Sequence, residues 1–197
     1  MSKKINKYGA TVGSGHYCWS KDRKAYNAWF GLLERCYEPK YHLKKPTYIG
    51  CTVDERWMDF QVFAEWFYKN YPDVDFKVEL DKDLIKIDNK VYGSDYCSYI
   101  PATINSLFNK GGVSKKNNSN LPLGISIRSD SGNYKAKVSD HEYGIYLSKT
   151  YKNLDDAVLF YNKNKARIIL RKAEQYKYML NINVYNNLIK IAEGLIK

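Results

Sequence analysis

The chain has 197 residues, enough for one domain or two small ones. Its 44% apolar content with 30 Phe, Trp and Tyr side chains excludes a globally disordered protein, and its 32 Lys/Arg against 21 Asp/Glu give a net charge of +11. No uncharged apolar run approaches the roughly 18 residues of a membrane span, and the basic start lacks the apolar stretch of a secretory signal; with four scattered cysteines, the expectation is a basic intracellular protein without a disulfide scaffold.

The first half of the chain holds two helical patterns. Tyr26, Trp29, Leu33 and Cys36 recur at helical spacing, which predicts a helix over 25–36. A loop with Pro39, Pro46 and Gly50 leads to a short strand candidate over 48–53. Asp54 then stands where it would cap a second helix, whose buried stripe is Trp57, Phe60, Phe63, Ala64 and Phe67. Residues 78–93, with a turn at Asp88 and Asn89, predict an irregular hairpin. Ser98 to Pro101 and a short helix carrying Ile104, Leu107 and Phe108 follow.

Residues 109–120 are rich in Gly, Ser, Asn and Lys without apolar periodicity, and predict a linker. The charge changes across it. Residues 1–107 carry 16 Lys/Arg and 14 Asp/Glu, residues 108–197 carry 16 and 7, so a polyanion is the natural partner of the second half.

Three strand candidates come next, 123–128, 134–139 and 143–149, joined by turns at 129–132 and 140–142. A long helix then starts with Asn153 as N-cap and Asp156 at its third position, burying Leu154, Ala157, Val158, Tyr161, Ile168 and Ile169. Residues 173–197 should continue helical, with Leu188, Ile191 and Leu195 packing back or forming a homodimer. Alternation puts Ile125, Ile127, Tyr134, Ala136 and Val138 on one side of the strands and Ser126, Arg128, Lys135, Lys137 and Ser139 on the other. With a helix on the apolar side, these cations face outward, where a sheet can enter the major groove; Lys149 joins the same candidate DNA-contacting set.

Gly124-Ile-Ser-Ile-Arg128, Gly132-Asn-Tyr-Lys-Ala-Lys-Val138, Tyr146-Leu-Ser148 and Asn153-Leu-Asp-Asp-Ala-Val158 with Tyr161 resemble the Apetala-type DNA-binding domain. The resemblance covers about residues 121–172. It implies a three-stranded sheet on one helix, with Ser126, Arg128, Lys135 and Lys137 at DNA-contacting positions. Plant members have an arginine-rich first strand; here Arg128 stands alone, and no base preference is implied.

The first 108 residues resemble the companion module of phage-encoded HNH homing endonucleases. The phrases are Arg35-Cys-Tyr37, Pro46-Thr-Tyr-Ile-Gly-Cys-Thr-Val53, Trp57 with Phe60, Phe63 and Trp66, Leu80-Asp-Lys-Asp83, Val91-Tyr92, Cys97-Ser-Tyr-Ile-Pro101 and Ile104-Asn105. By this resemblance the catalytic positions are Asp81, Lys82, Asp83, Asp95 and Asn105, with Mg²⁺ as cofactor if the chain cuts DNA. The general-base histidine is missing, since no His lies between His42 and His141. An unperturbed lysine, with pKa near ~10.4, is a poor base at neutral pH. The implied class is therefore an α+β protein: a degenerate HNH-like module over 1–108, the linker, the DNA-binding module over 121–172 and the helical extension.

Three functions stay open. The chain binds double-stranded DNA without needing a cofactor, in the cytoplasm of a phage-infected bacterium and with no membrane partner. Alternatively it is a metal-dependent endonuclease that uses Asp81, Asp83 and Asp95 as ligands, or a basic protein-interaction module. A zinc site from Cys36, His42, Cys51 and Cys97 is a further alternative, though no paired CxxC spacing supports it.

Overall fold

In a computed structural model, residues 4–13, 15–108 and 121–197 are described; the linker expected over 109–120 lies outside them. The chain forms two units, Met1–Tyr99 and Ile100–Lys197.

Aromatic packing builds the first unit. Helix α1, Arg23–Tyr37, buries Ala25, Trp29, Leu32, Leu33 and Cys36, the three-and-four spacing of a single helical face. Trp29 keeps its polar end satisfied by donating Nε1–H to the Trp57 carbonyl at 2.7 Å. Its ring centroid stands 5.3 Å from that of Phe60. Helix α2, Pro39–Lys44, is short and buries nothing.

The expected second helix is split. Asp54 caps only a single 3-10 turn, Glu55–Met58, and Asp59 starts helix α3, Phe60–Asn70, by accepting from the Gln61 N–H at 2.8 Å. The N-terminal segment causes the break. Thr11 donates its N–H to the Met58 carbonyl at 2.8 Å and accepts the Phe60 N–H at 2.9 Å, which requires Asp59 to be extended. Trp57 and the α3 stripe Phe60, Phe63, Ala64 and Phe67 are nonetheless buried together.

Most of the 48–53 segment is not strand. Pro46–Tyr48 forms a 3-10 turn, and Gly50 at φ +79 reverses the chain before β1, Thr52–Val53. The strands β2, Val78–Asp81, β3, Val91–Tyr92, and β4, Ser98–Pro101, correct the hairpin reading. β3 pairs in parallel with β1, and β2 pairs with β4. Side chains close the intervening loop instead: Lys82 Nζ donates to the Asn89 carbonyl at 2.8 Å, and Asn89 Nδ2 donates to the Lys82 carbonyl at 2.9 Å. The turn itself is present, with Asp88 at φ 59.

The second unit begins with helix α4, Ala102–Phe108, and contains a three-stranded antiparallel sheet in the order β5, Ile125–Ile127, then β6, Tyr134–Asp140, then β7, Ile145–Tyr151. Helix α5, Leu154–Gln175, packs against this sheet. Asn153 opens it, accepting the Asp156 N–H at 2.8 Å and donating to the Asp156 carboxylate at 2.7 Å. Ile125, Ala136 and Ala157 are the buried centre of this packing, with Tyr134, Tyr151, Val158 and Tyr161 around them. Helix α6, Ile182–Ile196, packs back onto α5. Its buried stripe is Val184, Leu188 and Ala192, spaced by four; Ile191 and Leu195 are half-buried beside it. Burying Val184 and Leu188 contributes about 1.5–3 kcal/mol each, which fixes α6 far more firmly than its own helical propensity could.

Candidate nucleic-acid interface

The pairing register decides which side chains share a face of the sheet. Ser126 stands opposite Lys135, Lys135 opposite Thr150, Lys137 opposite Ser148, and Ser139 opposite Tyr146. Cross-strand partners point the same way, so these residues form one face, and Arg128 continues it by alternation beyond Ile127. The other face carries Ile125, Tyr134, Ala136 and Val138, the residues packed against α5. Ile127 belongs to that face by register yet is 53% exposed, being the last residue of the short edge strand.

The outward face is therefore cationic and rich in hydroxyls. Lys135 and Lys137 lie two apart on the central strand, flanked by Ser126, Ser139, Ser148, Thr150 and Tyr146. Tyr146 is 63% exposed, a large amphipathic side chain facing away from the core. Among the described residues neither lysine makes an ion pair. Arg128 does: its Nε donates to Asp130 Oδ1 at 3.0 Å within the β5–β6 turn, and this guanidinium holds the Asp130 carboxyl well below the usual carboxylate range. Arg128 is oriented by that charge-assisted bond.

Lys149 falls elsewhere. It pairs with Ala136 in register, so it belongs to the α5 face; its ammonium lies over the Tyr151 ring at 5.3 Å. Alternation also identifies what sequence reading missed. Tyr146, Ser148 and Thr150 follow from the same period of two, counted from the true start of β7 at Ile145.

A buried ion cluster anchors the β6–β7 turn to α5. Lys172, 1% exposed, reaches Asp140 at 3.0 Å and Glu142 at 2.5 Å. Glu142 also accepts from the Tyr176 hydroxyl at 2.6 Å and from Gln175 Nε2 at 2.8 Å. Partial burial works to raise its pKa, but these hydrogen bonds outweigh it and hold the carboxyl at about 2.

The nuclease candidates occupy different surroundings. Asp81 is 8% exposed and its Oδ2 accepts the N–H groups of Leu84 at 2.6 Å and Asp83 at 3.0 Å. Burial pushes its carboxyl up to about 6. Lys82 is buried between Asp83, at 2.5 Å, and the Asn89 carbonyl. Asp95 is exposed and pairs with Arg56 at 2.7 Å, which also binds Asp54. Asn105 lies on α4, in the second unit.

These residues do not fit a divalent metal. The ammonium of Lys82 sits on Asp83, the guanidinium of Arg56 on Asp95, and Oδ2 of the buried Asp81 already accepts two backbone N–H groups. Among the described residues no three His, Cys, Asp or Glu side chains are grouped to hold a metal ion. The zinc set fails likewise. Cys36, His42, Cys51 and Cys97 are not gathered into such a group either, and His42 Nε2 lies 2.9 Å from the Arg35 carbonyl.

Compared with known protein families, curated proteins and solved structures, the chain matches none of them. Among the described residues no helix is long and apolar enough to cross a membrane.

Proposed function

We propose that the chain binds double-stranded DNA through the outward face of the β5–β6–β7 sheet. The supporting observation is one face that gathers Lys135, Lys137, Arg128 and five hydroxyl-bearing side chains, while the opposite face is committed to α5. Lysines neutralise phosphates, the forked guanidinium of Arg128 suits a guanine edge, and hydroxyls hydrogen-bond to either. A preference for sequence would come from Arg128 and its turn, since the lysines bind the backbone. The resemblance to Apetala-type domains and to phage homing endonucleases supports the same reading, with the infected bacterial cytoplasm as its setting. The HNH-like module serves this function as a degenerate companion that binds without cutting, because Lys82 and Asp83 pair with each other, Asp95 pairs with Arg56 and Asp81 accepts two backbone N–H groups.

Filter binding of duplex DNA across a salt series tests the proposal. Affinity should fall steeply with salt, and Lys135→Glu/Lys137→Glu should weaken it by about 100-fold or more, with duplex left uncut in Mg²⁺. An unchanged affinity in the double variant would remove the sheet as the binding surface.

A further inference from the structure

The turn that leads into α1, in the first unit, presents aromatic rings that the core does not use. The Cys18 carbonyl accepts the Lys21 N–H at 3.0 Å and the Asp22 N–H at 2.7 Å, and Asp22 Oδ2 accepts the Cys18 N–H at 2.6 Å. Trp19 stands on this closed turn and is 51% exposed. Its ring centroid lies 6.5 Å from that of Tyr26, near the outer limit for an aromatic pair. Asp22 also ties the turn to the end of α3, accepting the Tyr68 hydroxyl on Oδ1 at 2.8 Å. Tyr68 is 47% exposed and stacks on Tyr17, with centroids 5.4 Å apart and ring planes at 25°. Gln61 fixes the Tyr17 backbone, accepting its N–H at 2.9 Å and donating to its carbonyl at 2.8 Å.

A tryptophan held half in water on a hydrogen-bonded turn forgoes the burial that Trp29 and Trp57 obtain. It is also ordered before any partner arrives, which lowers the entropy cost of binding. The charges around it have one sign. Lys21, Arg23 and Lys24 are exposed, and among the described residues none of them makes an ion pair. Asp22, the acid between them, is taken by the Cys18 N–H and the Tyr68 hydroxyl. Half-exposed rings beside unpaired cations suit a strand that offers phosphates and unstacked bases together. A duplex keeps its base faces stacked inside, and an acidic peptide would use the cations and leave the rings bare.

We propose that this surface binds single-stranded DNA, with bases stacking on Trp19 and Tyr68 and phosphates on Lys21 and Arg23. It belongs to the first unit, whereas the duplex-binding face belongs to the second, so the two readings stand or fall separately.

Fluorescence titration of the full chain with oligo(dT), oligo(dA) and poly-glutamate tests the proposal. Trp29 and Trp57 are buried, so quenching by a stacked base is expected from Trp19. Both oligonucleotides should quench, since stacking tolerates any base, and poly-glutamate should neither quench nor compete. Trp19→Ala should weaken both strands by about 5-fold or more, the least that losing one base–aromatic stack costs. Trp19→Phe keeps a ring and should retain most of the affinity while losing the quench. Lys21→Gln/Arg23→Gln should make the fall of log affinity with log salt shallower by about 1.4, the share of two single-strand phosphates. Unchanged thermal midpoints in these variants show that the fold is intact. The sheet variant Lys135→Glu/Lys137→Glu should still bind oligo(dT) and quench. Loss of the quench in that sheet variant would put the strand on the sheet and overturn the proposal. So would an unchanged affinity in Trp19→Ala, the absence of oligonucleotide binding, or equal competition by poly-glutamate, which would mark a site for acidic peptides. If paired duplex fails to bind while oligo(dT) still quenches Trp19, the sheet reading falls and this one stands.

Discussion

Among the described residues a buried lysine beside carboxylates occurs once in each unit, and the two arrangements differ in what removing the charge leaves behind. In the first unit Lys82 bridges Asp83, whose side chain is 53% exposed, and a backbone carbonyl. In the second, Lys172 holds Asp140, whose side chain is 2% exposed, and Glu142 at 23%. Water can rehydrate Asp83 if its partner is lost. It cannot reach Asp140. The first lysine closes a loop; the second neutralises a charge that the core would otherwise contain alone.

The largest expected effect follows from that difference. Lys172→Met should destabilise the second unit by about 3–5 kcal/mol, the usual cost of leaving one half of a buried pair uncompensated. Lys82→Met loses hydrogen bonds and should cost about 1–3 kcal/mol. All four tryptophans precede residue 99, so tryptophan fluorescence in urea reports the first unit, while far-UV circular dichroism reports the helices of both, and the part of its transition that fluorescence does not share follows the second unit. Equal losses in the two variants would break the contrast.

Acidity should separate the units in opposite directions. The Asp81 carboxyl, raised by burial to about 6, retains a proton that the unfolded chain releases near pH 4. Its contribution is full below that pH and is lost as pH rises toward 6, by at most roughly 3 kcal/mol. Glu142, held at about 2, contributes above its ordinary value near 4.5 and loses that contribution as pH falls toward 2. Asp81→Asn keeps an acceptor for the Leu84 and Asp83 N–H groups and carries no charge. It should raise the urea midpoint at pH 7 and flatten the profile between pH 4 and 6. A lower midpoint at pH 7 would show that the carboxylate is needed in its charged form.

Part of this organisation was readable from the chain. The sheet, α5 and the outward lysines follow from alternation, turn residues and an N-cap, all of which act within a few residues. The pairing of 78–93 was not readable, because Lys82 and Asn89 close the loop with side chains while the strands pair with β1 and β4. The break at Asp59 depends on Thr11, some fifty residues away in sequence by the numbering. Lys172 on a helix reads as solvent-facing until the β6–β7 turn brings Asp140 and Glu142 over it. The candidate catalytic row was visible as residue types, but whether its groups were available depended on partners set by the fold, Arg56 from 39 residues away for Asp95 and the turn formed by the next three residues for Asp81.

The finest contrast lies within the sheet, between Lys137 and Lys149. The two are similar in type and both are exposed, so composition and net charge treat them alike. Register does not: Lys137 pairs with Ser148 on the outward face, and Lys149 pairs with Ala136 on the face that packs on α5. Each phosphate neutralised by the outward face steepens the fall of log affinity with log salt by about 0.9. Lys137→Ala should make the slope shallower by that amount and weaken duplex binding several-fold. Lys149→Ala should leave the slope unchanged and alter affinity by less than about 2-fold, since surface substitutions away from a binding face change free energies by at most a few tenths of a kcal/mol. The two variants have the same change in net charge, so a general electrostatic effect would move both equally. A larger loss in Lys149→Ala would move the DNA to the edge of β7 beside α5, and the outward face would then be a solvated one.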